Sequence, residues 1–138
     1  MISRLVLALA VSAAAGNALA ADPHDALPSV DTLPKDVTQE SPIIPAMGAH
    51  WVNHANWPLG PIYCVYKGKI VCLEFMMSQA DFAAGKSWPA LAGKDGLPPV
   101  NHVSVGFEPN GHPGFTIPHY DIHMYFISPE EVAKIKPD

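Results

Sequence analysis

The chain has 138 residues, a formal net charge of −5 and only 15 % charged residues, whereas 49 % are hydrophobic. This composition excludes an intrinsically disordered chain, which would be poor in apolar residues and rich in charge. The acidic balance, without a basic cluster, argues against nucleic acid and anionic membranes as partners. The 15 prolines and 10 glycines indicate short elements joined by many turns.

The first twenty residues have the layout of a secretory signal peptide. Arg4 gives a positive start, residues 5–15 are apolar apart from Ser12, and Ala18-Leu19-Ala20 is a small-x-small cleavage site. The apolar run is shorter than the roughly 20 residues of a membrane span, although an N-terminal membrane anchor is the alternative. We therefore expect a periplasmic or secreted protein, with residues 1–20 removed and no membrane insertion afterwards.

The next segment, residues 21–42, is rich in proline and poor in large apolar side chains. These features are typical of a flexible leader, with at most one short ordered piece. The sequence therefore predicts a single folded domain over residues 43–138.

Residues 62–77 read as a β-hairpin that turns at Lys67-Gly68. Ser78, with Asp81 three residues later, is typical of a helix N-cap, so a short helix is expected to follow the hairpin. In the second strand Glu74 lies alone among apolar neighbours. A buried carboxylate needs a partner or has to stay protonated, so Glu74 is a candidate for metal binding or acid–base chemistry. An ordinary ion pair or hydrogen bond is the alternative.

Two cysteines, Cys64 and Cys72, lie in this hairpin. A two-residue turn pairs Cys64 with Val71 and puts the cysteines on opposite faces of the sheet, whereas a three-residue loop would place them opposite each other. An exported chain permits a disulfide. The sequence leaves open whether the two cysteines form one, are buried as hydrophobic residues or supply a metal ligand.

Two further strands and a terminal helix complete the pattern. In residues 100–107, the side chains of Val103, Val105 and Phe107 share a face that we expect to be buried. Residues 117–127 form the longest predicted strand, and Ser128-Pro129 opens a helix. The expected fold is mainly β, a small antiparallel β-sandwich or barrel of four or five strands with two short helices.

Histidines are concentrated around the longest strand. His119, Asp121 and His123 share one face, because side chains alternate along a strand. Alternate residues lie roughly 7 Å apart, so His119 and His123 are too far apart to chelate one metal on a flat strand. A bulge or strong twist could bring them together, or each could contribute to a site with Asp121 between them.

We predict a divalent-metal site of zinc, copper or iron, since imidazole and carboxylate groups suit these ions. His112 lies on the turn before the strand, and His50 in what reads as a glycine-containing loop. Asp121 could instead orient a ligand imidazole. The alternative is that these histidines only form hydrogen bonds. The predicted ligands are His50, Glu74, His112, His119 and His123.

Two other functions are compatible with the sequence. One is a metal-dependent cupin-like enzyme or hydrolase that acts on a small-molecule ligand, with Glu74 or Asp121 as the base. The other is a non-catalytic oligomeric envelope protein, whose interface would expose Trp51, Trp57 and Trp88 together. The sequence contains no nucleophile elbow, phosphate loop or dinucleotide fingerprint.

Several short motifs resemble the TTHB-like family, a bacterial domain of unknown function. They span residues 47–51, 60–63, 66–69 and 73–76, and residues 111–112 with 118–125 resemble a His-rich branch of the family. The resemblance covers residues 43–127 and implies a small β-rich domain that self-associates as a homo-oligomer. Cys64 stands where the family pattern has glycine. The resemblance implies no established reaction.

Overall fold

The computed structural model describes residues 22–137, so the predicted signal peptide lies outside the described residues. These residues form one six-stranded antiparallel sheet in the order β1-β2-β3-β4-β6-β5. Two short helices accompany the sheet, so the predicted mainly β class is confirmed. The strands are β1 (Thr38–Ile44), β2 (Gly48–Val52), β3 (Ile62–Tyr66), β4 (Lys69–Ser78), β5 (His102–Glu108) and β6 (His119–Tyr125), and the helices are α1 (Gln79–Ala83) and α2 (Pro129–Val132).

The local signals of the hairpin and the helix caps are confirmed. Lys67 and Gly68 have φ values of 49° and 73°, as a two-residue hairpin turn requires. The Ser78 hydroxyl accepts a hydrogen bond from the Asp81 amide at the start of α1, and Ser128 caps α2 with Pro129 in its first turn. Among residues 22–137, no helix is long and apolar enough to cross a membrane.

The structure places the start of the folded part earlier than residue 43. Leu27 and Val37 are buried in the core, a short 3-10 helix spans Val30–Thr32, and β1 begins at Thr38. The segment predicted as a flexible leader thus packs on the sheet. Its larger apolar residues, Leu27, Val30, Leu33 and Val37, all pack in the core, and composition alone did not show this.

A second correction concerns residues 47–51, for which the sequence predicts a loop. Residues 48–52 are β2, and β2 pairs with both β1 and β3. Gly48 has a φ of 87°, and a Cβ atom there would lie 2.6 Å from the Val65 carbonyl oxygen. Glycine therefore permits a close approach of β2 to β3, and this approach carries His50 onto the sheet.

The cysteines form a disulfide across β3 and β4, with their Cα atoms 4.9 Å apart. The two-residue turn pairs Tyr66 with Lys69, but the register then shifts, and Cys64 pairs with Cys72. The extra residue is Val71, a β-bulge that the regular hairpin register could not include. Both predicted alternatives for the turn assumed a regular ladder, and the bulge makes a two-residue turn compatible with the disulfide.

The sheet is apolar on both faces. One face carries a continuous core, with Tyr63, Val65, Ile70, Leu73 and Phe75 among its buried members. The other has two smaller apolar groups, one around the disulfide and Tyr125, the other formed by Val52, Ile62 and Met76. Buried polar side chains lie on this second face, and we call it the polar face.

Strand β5 differs from its prediction. Val103, Val105 and Phe107 do share one face, but that face is exposed, with 56, 63 and 42 % of each residue accessible. β5 is the last strand of the sheet and pairs only with β6. No described element covers its apolar side. The alternation of apolar and polar residues therefore predicted the strand correctly, but the prediction that its apolar face is buried was wrong.

Candidate metal centre

The polar face collects buried acids and imidazoles from three neighbouring strands. Glu74 pairs with His123, and Asp121 pairs with Met76, so residues distant in the chain lie in adjacent rows of the β4–β6 ladder. His50 enters from β2, where it pairs with Cys64. The rows on this face are set by the register, because every second residue of each strand points to the same side.

Three of these side chains form what we call the Glu74 cluster: His50, Glu74 and His123. The Nε2 atom of His50 lies 3.4 Å from Oε2 of Glu74, and Nε2 of His123 lies 3.5 Å from Oε1. Glu74 is only 1 % exposed and His123 only 3 %. None of these four atoms has a hydrogen-bond partner among the described residues. Four buried polar atoms thus face one another without making hydrogen bonds.

Burial shifts all three groups of the Glu74 cluster toward their neutral forms. It raises the pKa of Glu74 to about 8, and the negative charge of Asp121 adds to the rise. It lowers the pKa of His123 to about 4, helped by repulsion from His50. It also lowers the pKa of His50 to about 4, helped by repulsion from His112. The imidazoles are therefore unprotonated at neutral pH, as metal ligation requires.

A second group, the Asp121 cluster, consists of His112, His119 and Asp121. Nε2 of His119 lies 3.1 Å from Nε2 of His112 and 3.0 Å from Oδ1 of Asp121, and Nε2 of His112 lies 3.8 Å from Oδ2. Burial raises the pKa of Asp121, and this effect is opposed by the charges of His119 and His112. The β5–β6 turn brings His112 back over the polar face.

Backbone carbonyls orient both imidazoles of the Asp121 cluster. Nδ1 of His119 lies 2.7 Å from the Ile117 carbonyl oxygen, and Nδ1 of His112 lies 3.1 Å from that of Pro113. A carbonyl oxygen only accepts, so each Nδ1 carries the donated hydrogen. In the neutral ring, each Nε2 then presents a lone pair toward the cluster. Two lone pairs and a carboxylate that face one another could hold a metal ion, and a proton shared between His119 and Asp121 would also satisfy them.

A cavity of about 500 Å³ opens beside both clusters. Its lining includes His50 from the Glu74 cluster, His112 and Asp121 from the other, and Glu108 near the end of β5. Glu40 and Ser41 of β1 line the opposite side. The sheet is thus curled enough for its first strand to approach the β5–β6 turn, and a small molecule would fit the space.

The five predicted ligands thus lie on one face but in two groups. His119 and His123 are in different clusters, as the distance between alternate strand residues predicted. Sequence reasoning named Asp121 as a group between the two histidines, as an orienting group or as a candidate base, but not among the ligands, whereas the structure puts its carboxylate among the inward-facing atoms. The sequence analysis did not include Cys64 among the predicted ligands. Its Sγ atom nevertheless lies within 4.8 Å of the ligand atoms of the Glu74 cluster. The pairing of Cys64 with His50 depends on the missed strand β2.

The remaining histidines and the tryptophans lie outside the clusters. His54 is exposed and lies 3.2 Å from Glu40, and His102 stacks on Tyr125. His24, which lies in the segment predicted as a flexible leader, is buried against Tyr66. The tryptophans do not form one exposed surface: each is partly buried, Trp51 and Trp88 against the larger core and Trp57 against a separate group.

Comparisons with known proteins give a fold but no function. No protein-family model matches the chain, and no curated protein matches it. One similar solved structure is that of the hypothetical protein TTHB210 from Thermus thermophilus, with a TM-score of 0.61 and 23 % identity over 75 % of this chain and 96 % of that one. At this identity the likeness establishes the fold alone and is a weak link to the TTHB-like family.

Proposed function

We propose that this chain is an exported β domain that binds a divalent transition metal on the polar face of its sheet. The observation that carries the proposal is the Glu74 cluster, in which two imidazole nitrogens and both oxygens of a carboxylate are buried without hydrogen-bond partners. Leaving buried polar groups unpaired costs about 1–3 kcal/mol each. A metal ion would satisfy these groups together.

The spacing of the atoms supports a shared ion. A tetrahedral zinc ion with bonds of about 2.0–2.1 Å holds two ligand atoms roughly 3.3 Å apart. The nitrogen–oxygen distances in the Glu74 cluster are 3.4 and 3.5 Å. A proton on Glu74 could bridge to only one of the two imidazoles, whereas a metal ion would bind both.

The Asp121 cluster is proposed as a second, neighbouring position. Its imidazoles are already oriented by carbonyls, the arrangement that metal-ligating histidines usually have. Asp121 and His123 are two residues apart on β6, so the two positions would lie roughly 7 Å apart. Nitrogen and oxygen donors suit zinc, copper or iron, and they do not select among the three.

Export and family membership belong to the same proposal. The signal-like first twenty residues support a periplasmic or secreted location. The motifs over residues 43–127, together with the fold shared with TTHB210, support membership of the His-rich branch of the TTHB-like family.

Metal analysis of the untagged chain tests the proposal. We expect stoichiometric zinc, copper or iron in the wild type and a large loss in the His119→Ala/His123→Ala variant, which removes one ligand from each cluster. His54→Ala is the matched control, because His54 is exposed and lies outside both clusters. Equal and substoichiometric metal in the wild type and the double variant would reject metal binding.

A metal-dependent hydrolase or cupin-like enzyme at the same face is the second candidate function. The cavity of about 500 Å³ favours it, since the cavity reaches His50 and Asp121. Glu74 does not line the cavity, so Asp121 is the better placed of the two predicted bases. The test is hydrolysis of activated esters and phosphodiesters by the metal-loaded protein, with Asp121→Asn as the variant. Turnover no faster than that of free metal would remove this candidate.

A non-catalytic, self-associating envelope protein is the third candidate. The exposed apolar side of β5, with Val103, Val105 and Phe107, favours it more than the tryptophans do. Light scattering with and without a chelator separates it from the first candidate. An oligomer that survives metal removal would support association through β5, and a monomer under both conditions would reject it.

A further inference from the structure

We propose that Cys64 is a redox-controlled ligand of the Glu74 cluster. When the Cys64–Cys72 disulfide is reduced, the Cys64 thiolate joins His50, Glu74 and His123 around one metal ion. The inference rests on the proposed metal binding and adds to it a way of regulating the site. The structure shows the oxidised state, in which the sulfur is held by Cys72.

The position of Cys64 is the first argument. Ligand atoms of His50, Cys64, Glu74 and His123 all lie within 4.8 Å of one another, and all four residues are buried. Cys64 reaches this place because it pairs directly with His50 across β2 and β3. Cys72 pairs with Cys64 on its other side and does not belong to this group. The two cysteines are therefore not equivalent toward the cluster.

The chemistry of sulfur is the second argument. A disulfide sulfur carries no negative charge, whereas a thiolate is a strong zinc ligand with a bond of about 2.3 Å. In the oxidised state the cluster offers two imidazoles and one carboxylate, which leaves a coordination position for water. In the reduced state the same cluster offers four protein ligands, the number that closes a tetrahedral site.

The reaction balances with a dithiol as the reductant. A protein dithiol gives two electrons and two protons to the Cys64–Cys72 bond and becomes a disulfide, while Cys64 and Cys72 become thiols. The Cys64 thiol then releases its proton and binds the metal, and Cys72 stays a thiol. Both sulfurs are buried, so the dithiol reaches them only when the β3–β4 hairpin opens locally. The Val71 bulge beside the disulfide interrupts the ladder there.

The consequence is a metal affinity that follows the redox state of the surroundings. An oxidising compartment keeps the disulfide formed and the site open to water. A reducing encounter would close the site and hold the ion more tightly. A bound metal would in turn slow re-formation of the disulfide, because one of the two sulfurs is occupied.

The test compares two variants that differ only in which cysteine remains. Cys72→Ser leaves the Cys64 thiol at the cluster, and Cys64→Ser leaves the Cys72 thiol beside it. Both variants lose the disulfide and gain one buried serine, so their stabilities are matched. The probe is Co²⁺, whose thiolate complexes have a near-ultraviolet charge-transfer band that imidazole and carboxylate complexes lack. Circular dichroism confirms that both variants fold.

We expect the charge-transfer band in Cys72→Ser and not in Cys64→Ser, with Co²⁺ affinity at least about tenfold higher in Cys72→Ser. Wild type reduced with a water-soluble phosphine should also gain the band, since the phosphine takes one oxygen atom from water as the disulfide becomes two thiols. Equal affinities without a band in all these samples would overturn the role of Cys64.

The outcomes separate this inference from the proposed function. Oxidised wild type that binds Co²⁺ through nitrogen and oxygen only, with no band in Cys72→Ser, supports metal binding and rejects the thiolate. A band in Cys72→Ser with no binding by oxidised wild type supports the thiolate and rejects a site formed by His50, Glu74 and His123 alone. If either variant fails to fold, the phosphine-reduced wild type decides the question.

Discussion

The two clusters on the polar face use the same residue types but are oriented differently. In the Asp121 cluster, the Nδ1 atoms of His112 and His119 bind backbone carbonyls, so each ring is fixed by a hydrogen bond. In the Glu74 cluster, His123 is instead stacked on Tyr125, with ring centroids 5.5 Å apart and planes 12° from parallel. His112 and His119 are thus oriented by hydrogen bonds, and His123 is oriented by packing.

The clusters also differ in their access to solvent. Asp121 and His112 line the cavity, and so does His50 of the Glu74 cluster, whereas Glu74 and His123 do not line it and are only 1 and 3 % exposed. We infer that the Glu74 cluster would hold a metal that exchanges slowly, because all three of its residues are buried, whereas His112 of the other cluster is partly exposed. The Asp121 cluster would hold one that exchanges quickly and meets ligands from the cavity. If both clusters bind metal, the exposure of their residues, and not the identity of the ligands, would separate the slowly exchanging site from the quickly exchanging one.

The largest expected effect breaks the deeper cluster. His123→Ala removes one of the two imidazoles of the Glu74 cluster. We expect the affinity for the slowly exchanging metal to fall by about 100-fold or more. This is more than the loss caused by mutating a residue that only hydrogen-bonds to a ligand. Competition with a chromophoric chelator measures it. His54→Ala should leave the affinity unchanged, and an equal loss in that control would show that the effect is not specific to the cluster.

The second prediction concerns pH in the metal-free protein. In the folded state Glu74 keeps its proton up to a pKa of about 8, whereas in the unfolded chain its pKa has the ordinary value of 4.5. The folded state therefore loses stability through this group as the pH rises from 4.5 to about 8. The two cluster imidazoles act in the opposite sense, but mainly below their ordinary pKa of 6.5, where the unfolded chain protonates them and the folded state does not. From pH 6.5 to 8, wild type should therefore lose about 2 kcal/mol through Glu74.

Urea unfolding at several pH values checks this expectation, with Glu74→Gln as the control that cannot titrate. Relative to that variant, wild type should become less stable as pH rises through this window. A difference in the free energy of unfolding that does not change with pH would mean that Glu74 is ionised in the folded state. Burial would then not keep the Glu74 cluster neutral.

A smaller effect is expected from the accessible cluster. His112 is partly exposed and would supply one of the three proposed ligands, so we expect His112→Ala to weaken binding of the quickly exchanging metal by about tenfold. The slowly exchanging metal should stay bound. Stopped-flow removal by a chelator resolves the two phases. Loss of both phases together would show that the clusters act as one site.

The smallest effect tests orientation by packing. The Tyr125 hydroxyl donates a hydrogen bond to the Ala46 carbonyl at 3.1 Å, and the ring stacks on His123. Tyr125→Phe keeps the ring and loses the hydrogen bond, so stability should fall by about 1 kcal/mol while metal affinity changes little. Thermal unfolding and chelator competition measure both. A loss of affinity as large as that of His123→Ala would show that the hydroxyl, not the ring, positions the imidazole.

Much of the fold followed from local sequence signals. The hairpin turn at Lys67-Gly68, the caps at Ser78 and Ser128 and the shared face of His119, Asp121 and His123 depend on residues close together in the chain. The strands β1 and β2 were missed. Residues 38–52 contain Pro42, Pro45 and Gly48, residue types that are typical of loops, and only pairing with β3 makes this segment a sheet edge.

The sequence by itself determined that the chain is a mainly β domain with imidazoles and one carboxylate on alternating strand positions, because alternation and caps are local properties. Only the tertiary structure decided which of these groups meet. A bulge at Val71 placed Cys64 opposite Cys72, and the pairing of β2 with β3 placed His50 beside Cys64. Register between distant strands depends on the packing of the whole sheet, and for that reason no local pattern encodes it.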